Sequence, residues 1–266
     1  MSTAPASTTS PNPAAFRAPG GRGAAAVLRT EARLFVREPG TLFWVLLFPA
    51  LLTAILGLVP SFREASADLG GRRVIDLYVP VGVLLALIMG GLQALPPILT
   101  GYRERGILRR MSTTPVRPAS LLGAEIALHG AASLGSAALV IAVGRTAFGV
   151  KLPGHLPGYA LALVLAAAST LALGALVSAV SRTQKISSVI GSAVFFPALF
   201  TAGVYLPVQT MPGTLRHIVE ATPLGAASQA LDQAMRGGWP GAVHLGVTLV
   251  WAVALTAGAA RWFRWE

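Results

Sequence analysis

The stretch LYVPVGVLLALIMGGLQALPPILTGY, residues 77–102, contains no Asp, Glu, Lys or Arg and determines the fold class. A charge at the bilayer centre costs several kcal/mol, so a run of this kind is typical of a membrane-spanning helix. Five similar runs occur, and about 20 residues suffice to cross the hydrocarbon core. Because backbone polar groups in lipid must be satisfied internally, the pattern predicts an all-α membrane protein. The predicted spans are about 41–60, 77–100, 119–144, 158–180, 188–206 and 241–261.

The composition agrees with a chain whose surface faces lipid. Only 12% of the 266 residues are charged and 54% are hydrophobic, whereas a soluble domain is about a quarter charged. The net charge of +11 comes from Lys and Arg in short segments between apolar runs, which does not resemble a basic nucleic-acid-binding face. The absence of cysteine excludes disulfides and thiolate metal sites.

The basic residues also predict an orientation. With the N-terminus inside, 14 of the 21 Lys and Arg residues fall in cytoplasmic segments, so we expect both termini in the cytoplasm. Residues 1–21 are rich in Ser, Thr, Pro and Ala and have no apolar signal-peptide core. They predict a disordered cytoplasmic tail, followed by one membrane domain over 22–266.

The segment 22–38 predicts an amphipathic helix that lies in the membrane interface before the first span. Pro39 and Gly40 end it, and Glu31 projects from the apolar side, where it could pair with an Arg or contact a docked partner. A plain membrane anchor is the alternative interpretation. The basic side is formed by Arg22, Arg29, Arg33 and Arg37, and the apolar side by Val27, Leu28, Leu34 and Phe35.

No motif predicts catalysis by this chain. The P-loop pattern Gly-x-x-x-x-Gly-Lys-Ser/Thr, His-Glu-x-x-His and Gly-x-Ser-x-Gly are all missing, so we expect neither an enzyme nor a metal site. Glu125 and His129 lie four residues apart on one face of the third span. They are candidates for a transport pathway or a proton relay. The alternative is a glutamate near the interface that pairs with Arg117 or another loop Arg.

The densest charged segment is the connection after the second span, residues 101–117. Ile107, Leu108 and Met111 recur there at helical spacing among five arginines. A short amphipathic helix could therefore present an apolar ridge to a cytoplasmic partner. The alternative is an arginine-rich anchor that only sets topology.

Two blocks of sequence resemble the permease subunits of ABC-2-type exporters. The first is Arg103-Glu104-Arg105-Gly106-Ile107-Leu108-Arg109-Arg110-Met111-Ser112-Thr113-Thr114-Pro115, similar to the loop motif after the second span of that family. The second is Ala202-Gly203-Val204-Tyr205-Leu206-Pro207, then Met211-Pro212 and Thr222-Pro223-Leu224. Ala202 stands where the family commonly has Ser. The small outer loops are similar to the daunorubicin-resistance branch.

The resemblance implies an architecture like that of type V exporters, with six spans preceded by an elbow helix and short helices in 207–238. It also implies partners: two copies of an ABC ATPase that hold ATP and Mg, a second permease copy or paralogue, and the lipid of a bacterial inner membrane. The implied function is a pathway for a hydrophobic or amphipathic substrate, such as a drug, antibiotic or lipid-like molecule. The alternatives are a proton-coupled secondary transporter and a permease for lipid-linked polysaccharide. The residues that would couple to the ATPase are Arg103, Glu104, Arg105, Gly106, Ile107, Leu108, Arg109, Arg110 and Met111.

Overall fold

A computed structural model of the chain describes residues 22–69, 71–111 and 118–263. The predicted tail 1–21, the end of the first motif at 112–117 and residues 264–266 lie outside the described residues. Six described helices are long and apolar enough to cross a membrane, which confirms the predicted all-α membrane fold. The spans are Pro39–Leu58, Val74–Glu104, Ala119–Phe148, Leu156–Val180, Gln184–Ala202 and Ala242–Trp262.

Shorter elements occupy the connections. An interfacial helix precedes the first span, and two strands of two residues each pair antiparallel between the first two spans. We call the helix after the second span the loop helix, and the helices between the last two spans the paired short helices. Their bounds are Arg22–Val36 for the interfacial helix, Pro60–Arg63, Ala65–Ser66, Ala67–Leu69 (a 3₁₀ turn), Arg72–Arg73, Ile107–Met111 for the loop helix, Val208–Thr210 (a second 3₁₀ turn), and Gly213–Glu220 and Pro223–Met235 for the paired short helices. The third span belongs to a helix that begins at Pro118.

The second span is the central helix of the bundle. Within its apolar window 78% of the residues are buried, against 22% for the sixth span. Val83, Leu84 and Leu87 are fully covered by neighbouring helices. The other spans each retain an outward apolar face, as expected of helices that contact lipid on one side. The centre of the fold is therefore the second span, which packs against the first, third, fourth and fifth spans, while the sixth span packs on the fourth.

Two spans widen into π-helical segments ahead of prolines. Phe43–Leu47 precedes Pro49, and Met89–Ala94 precedes Pro96 and Pro97. Proline has no N–H to offer the preceding turn, so the backbone must rearrange to accommodate it. A π-segment is one such rearrangement, and these segments often occur at functional sites. The second π-segment lies at the middle of the central helix.

Glycines allow the second and fourth spans to touch backbone to backbone. A β-carbon placed on Gly174 would overlap the Gly91 carbonyl oxygen, and one placed on Gly91 would lie 2.8 Å from the Thr170 carbonyl oxygen. Small residues permit such close crossings in membranes, where packing rather than water expulsion holds helices together. The absence of a side chain at Gly91 and Gly174 is therefore required by the packing of these two spans.

Candidate functional site

The loop helix follows the second span across a single sharp turn. Gly106 makes that turn with a positive φ of 66°, a conformation that favours glycine. Leu108 is only 1% exposed, whereas Arg109 and Arg110 are exposed. The expectation that Leu108 is an anchor for a partner is thus wrong, because its side chain is already packed inside this chain. Ile107 is half-buried and remains partly accessible.

The residues just before the loop helix hold the fourth and fifth spans. Arg103 donates hydrogen bonds to the carbonyl oxygens of Ser178, at 3.1 Å, and Ser181. These carbonyls belong to the last turn of the fourth span, where a positive charge is favourable. Arg103, which the resemblance places in the coupling segment, therefore binds within its own chain.

Glu104 makes the matching contact with the start of the fifth span. Its Oε2 accepts a hydrogen bond of 2.8 Å from the backbone N–H of Gln184, the first residue of that helix. A carboxylate at a helix N-terminus is stabilised by the unpaired N–H groups and the helix dipole. One turn earlier, the hydroxyls of Thr100 and Ser187 lie 2.8 Å apart. The end of the second span is thereby tied to both neighbouring helix ends, a contact that the sequence motif alone did not reveal.

Glu31, Tyr102 and Glu125 meet at the contact between the interfacial helix and the third span. The hydroxyl oxygen of Tyr102 lies 2.8 Å from Glu31 Oε2 and 3.0 Å from Glu125 Oε1. Burial raises the pKa of Glu31; the Tyr102 hydroxyl opposes this shift, and the charge of Glu125 adds to it. The predicted pairing of Glu125 with an Arg does not occur within the described ranges, and Arg117 lies outside them.

His129 lies one turn further along the third span and is completely buried. Its Nδ1 is 2.9 Å from the backbone oxygen of Glu125, and the ring of Phe35 meets it edge-on at 5.4 Å. Glu125 is 3% exposed. The interfacial helix thus covers both residues, and neither lines any of the cavities described below. Their predicted place in a transport pathway gains no support from this arrangement.

Three of the four arginines predicted for the basic side of the interfacial helix can be located; the side chain of Arg22 lies outside the described part of the chain. Arg29, Arg33 and Arg37 are all exposed, while Glu31 and Phe35 face the third span and are half-buried. Leu28 and Leu34 remain exposed as well, at 39% and 49%. The helix therefore has a face that is available to lipid and a separate, partly polar face that contacts its own chain.

A groove of about 340 Å³ runs between the first, second and fifth spans. Its walls are mostly apolar, and its one amide side chain, Gln93, forms no hydrogen bond within the described residues. Gln93 and Met89 both belong to the π-helical segment of the central span. A polar group in such a position can recognise a ligand in an otherwise apolar cavity. The lining includes Thr41, Trp44, Met89, Gln93, Ala94 and Phe195.

Two further cavities lie towards the end of the bundle that carries the loop helix. One, of about 610 Å³, includes Arg103, Glu104 and Arg182 in its walls. The other, of about 580 Å³, is apolar and lies between the second, third, fourth and sixth spans. Among the described residues, no group of three or more His, Cys, Asp or Glu could hold a metal ion.

The opposite end of the bundle is closed by the paired short helices, in the region where the resemblance implied them. Asp232 is 1% exposed and forms ion pairs with Arg72, at 2.8 Å, and Arg236, at 2.6 Å. Glu220 accepts hydrogen bonds from Arg216 and Gln229, both at 2.7 Å. The charges predicted for this segment therefore neutralise one another within protein, as buried charges must.

Comparison with known families accounts for these features together. The model of the ABC-2 type transporter family matches residues 23–235, from the interfacial helix to the second of the paired short helices. The chain belongs to the ABC-2 type transporter family. It is accordingly a multi-pass membrane component of a transporter, and the family resemblance of its two motif blocks is confirmed. A search of curated proteins finds no match to this ABC-2 chain.

Proposed function

We propose that this chain is the pathway-forming permease of an ATP-driven exporter, and that a separate ATPase subunit docks on the loop helix. Two permeases would enclose the pathway and two ATPases would bind ATP and Mg. The observation that carries the proposal is the construction of the loop helix. It presents Arg109 and Arg110 to solvent, while the residues before it tie its base to the fourth and fifth spans.

This construction supports a mechanical role. A displacement of the loop helix would move the end of the second span, to which it is joined at Gly106. Arg103 and Glu104 would then carry this movement to the fourth and fifth spans, because they bind the facing ends of those helices. Rigid elements joined by charge-assisted hydrogen bonds move together, and the fifth span also lines the groove beside Gln93.

The groove between the first, second and fifth spans is the site that we propose for substrate. Its apolar walls and single amide suit a hydrophobic or amphipathic molecule, such as a drug, an antibiotic or a lipid-like compound. A daunorubicin-like substrate fits this description. A polysaccharide would require many more polar contacts than Gln93 offers. A proton-coupled transporter would need Glu125 and His129 in the pathway, and both lie beneath the interfacial helix.

The charge distribution supports an orientation with the loop helix in the bacterial cytoplasm, as part of the inner membrane. Exposed basic side chains collect at that end of the bundle, on the loop helix, on the connection after the fourth span and at the end of the sixth span. Such an excess is typical of the cytoplasmic face, and it supports the proposal that both termini lie there. The residues are Arg109, Arg110, Arg182, Lys185 and Arg261.

The test of docking is co-purification of the full-length chain with a co-expressed ABC ATPase from the same organism. We expect Arg109→Glu and Ile107→Asp to reduce the recovery of the ATPase at least about tenfold, because each places an anion on the docking surface. Arg261→Glu is the matched control, an exposed arginine at the same end of the bundle but outside the loop helix. It should leave recovery unchanged.

Leu108 is not used in this test because a charge at that buried position would damage the fold itself. Equal recovery of the ATPase with Arg109→Glu, Ile107→Asp and the control would refute docking on the loop helix. Loss of recovery with all three would instead point to a diffuse electrostatic attraction of the whole face.

A further inference from the structure

Where the interfacial helix contacts the third span, two carboxyl oxygens lie close to one hydroxyl group that can donate only one hydrogen. Tyr102 has one hydroxyl hydrogen, yet its oxygen lies within hydrogen-bond distance of both Glu31 Oε2, at 2.8 Å, and Glu125 Oε1, at 3.0 Å. An ionised carboxylate is only an acceptor. One of the two contacts can therefore be a full hydrogen bond from Tyr102, and the other requires a proton on a carboxyl group.

Among the described residues, no Lys or Arg side chain replaces that proton. Within the described ranges neither carboxylate forms an ion pair with Lys or Arg. Arg103, adjacent to Tyr102, donates instead to the fourth span, and the side chains of Arg29, Arg33 and Arg37 are exposed. Two carboxylates that share one buried site disfavour the state in which both are ionised.

His129 is the other titratable group that the described residues place at this contact, and its Nδ1 lies 3.4 Å from Glu125 Oε2. The backbone oxygen of Glu125, 2.9 Å from Nδ1, can only accept, so Nδ1 carries a hydrogen. Nε2 is buried without a hydrogen-bond partner among the described residues. A second ring proton there would create a buried, unpaired cationic N–H next to Phe35. The extra proton therefore belongs to the carboxyl pair.

We propose that Glu31 and Glu125 share one exchangeable proton beside the Tyr102 hydroxyl, and that this proton holds the interfacial helix on the third span. Within the part of the chain that the structure describes, four titratable groups from three elements face one another at this contact. They are Glu31 from the interfacial helix, Tyr102 from the second span, and Glu125 and His129 from the third. When the proton leaves, two carboxylates repel each other across the contact and the interfacial helix loosens. Attachment is thus complete at low pH and weakens when that proton is lost as pH rises.

The raised pKa of Glu31 agrees with this direction, because its burial disfavours the charged form. The consequence reaches the proposed docking site as well. Tyr102 immediately precedes Arg103 and Glu104, which hold the fourth and fifth spans. The protonation of one carboxyl pair would therefore alter how firmly the interfacial helix supports the segment that leads into the loop helix.

The experiment uses the full chain in lipid nanodiscs with a spin label on the interfacial helix. The chain has no cysteine, so Arg33→Cys introduces a single labelling position that is exposed and outside the cluster. Label mobility is measured from about pH 5 to about pH 9, a range that covers documented pKa values of buried glutamates. We expect a restrained label at low pH and a mobile fraction that grows as pH rises.

Glu125→Gln and Glu31→Gln should each abolish the transition, because an amide keeps hydrogen-bonding capacity without the second negative charge. Glu38→Gln is the control, an exposed carboxylate two residues beyond the interfacial helix, and should keep the wild-type midpoint. Infrared spectra of the unlabelled chain supply a second readout. A protonated-carboxyl band should disappear as pH rises in the wild type and be absent from both glutamine variants.

Persistence of the mobility transition in either glutamine variant would overturn the proposal. So would a wild-type chain that shows neither a pH-dependent label nor a carboxyl band that titrates. If one variant fails to give a monodisperse preparation, the other variant and the wild-type infrared titration decide the question.

Discussion

The contact of Gly174 with Gly91 allows a sharp test of how the bundle is packed. Alanine at position 174 adds one β-carbon, which would overlap the Gly91 carbonyl oxygen on the second span. Ordinary contact starts near 3.4 Å, and backbone atoms cannot rotate away as a flexible side chain can. The second and fourth spans must therefore separate, although the second span is the buried centre of the fold.

The expected loss of folding free energy follows from adding a methyl group to a tightly packed interface. Added methyl groups in well-packed cores typically cost about 1–3 kcal/mol, and a backbone overlap belongs at the upper end of that range. We expect Gly174→Ala to destabilise the chain by about 3 kcal/mol. For a chain of this size each kcal/mol corresponds to about 2–4 °C, so the apparent Tm should fall by about 6–12 °C.

The assay is thermal unfolding of the purified chain in detergent, followed by the loss of monodisperse protein. The matched control is Gly123→Ala in the third span, where an added β-carbon meets nothing within 4 Å. Its Tm should be unchanged or slightly higher, because alanine is the better helix former. Equal Tm values for the two variants would refute the close crossing of the second and fourth spans.

Three further predictions concern the opposite end of the bundle and the groove. Arg72→Ala removes one of the two ion-pair partners of buried Asp232 and should cost about 2 kcal/mol in a thermal-shift assay. Burial acts to raise the pKa of Glu220, but Arg216, Gln229 and His244 together lower it more. The contribution of Glu220 to stability is therefore present at neutral pH and lost as pH falls below about 4, and Glu220→Gln should flatten this acid-side fall in a pH-dependent Tm series. Gln93→Leu should leave Tm unchanged and raise the substrate concentration for half-maximal transport about tenfold, the value of one hydrogen bond.

Each of these has a specific control or contrary result. Arg63→Ala, the control for Arg72→Ala, changes an exposed arginine on the same connection between the first two spans and should leave Tm unaltered. An equal fall in Tm for the two variants would contradict the ion-pair argument. Glu64→Gln, at an exposed carboxylate, should retain the acid-side fall in Tm that Glu220→Gln loses. Unchanged transport kinetics in Gln93→Leu would show that the groove beside the central span is not the substrate site.

The six spans could be predicted because charge is excluded from the bilayer centre, and the same criterion explains where the bounds are wrong. The second span extends beyond 77–100 at both ends, from Val74 to Glu104. At its start Asp76 accepts a hydrogen bond from the backbone N–H of Arg73 and so caps the helix. At its end Arg103 and Glu104 bind neighbouring helix ends. Charged residues that cap or join helices are invisible to a search for charge-free runs.

The site was harder to predict than the spans because its contacts join distant parts of the chain. Spacing correctly indicated a helix at 107–111, but periodicity does not say which face is buried, and Leu108 faces inward. Glu31 stood out as a polar residue on an apolar face, but its partner Tyr102 is 71 positions away in the sequence and could not be identified from spacing. The sequence did not single out Gln93, since one uncharged amide does not interrupt an apolar run that is recognised by the absence of charge.

Transport by membrane vesicles that contain this chain and the ABC ATPase that co-purifies with it tests the central claim most directly. The measurement is the movement of an amphipathic fluorescent substrate across the vesicle membrane, with each subunit supplied alone or together. We predict that movement requires both subunits and ATP, and that it survives collapse of the proton gradient. Movement by this chain alone, driven by the proton gradient without the ATPase, would contradict the account.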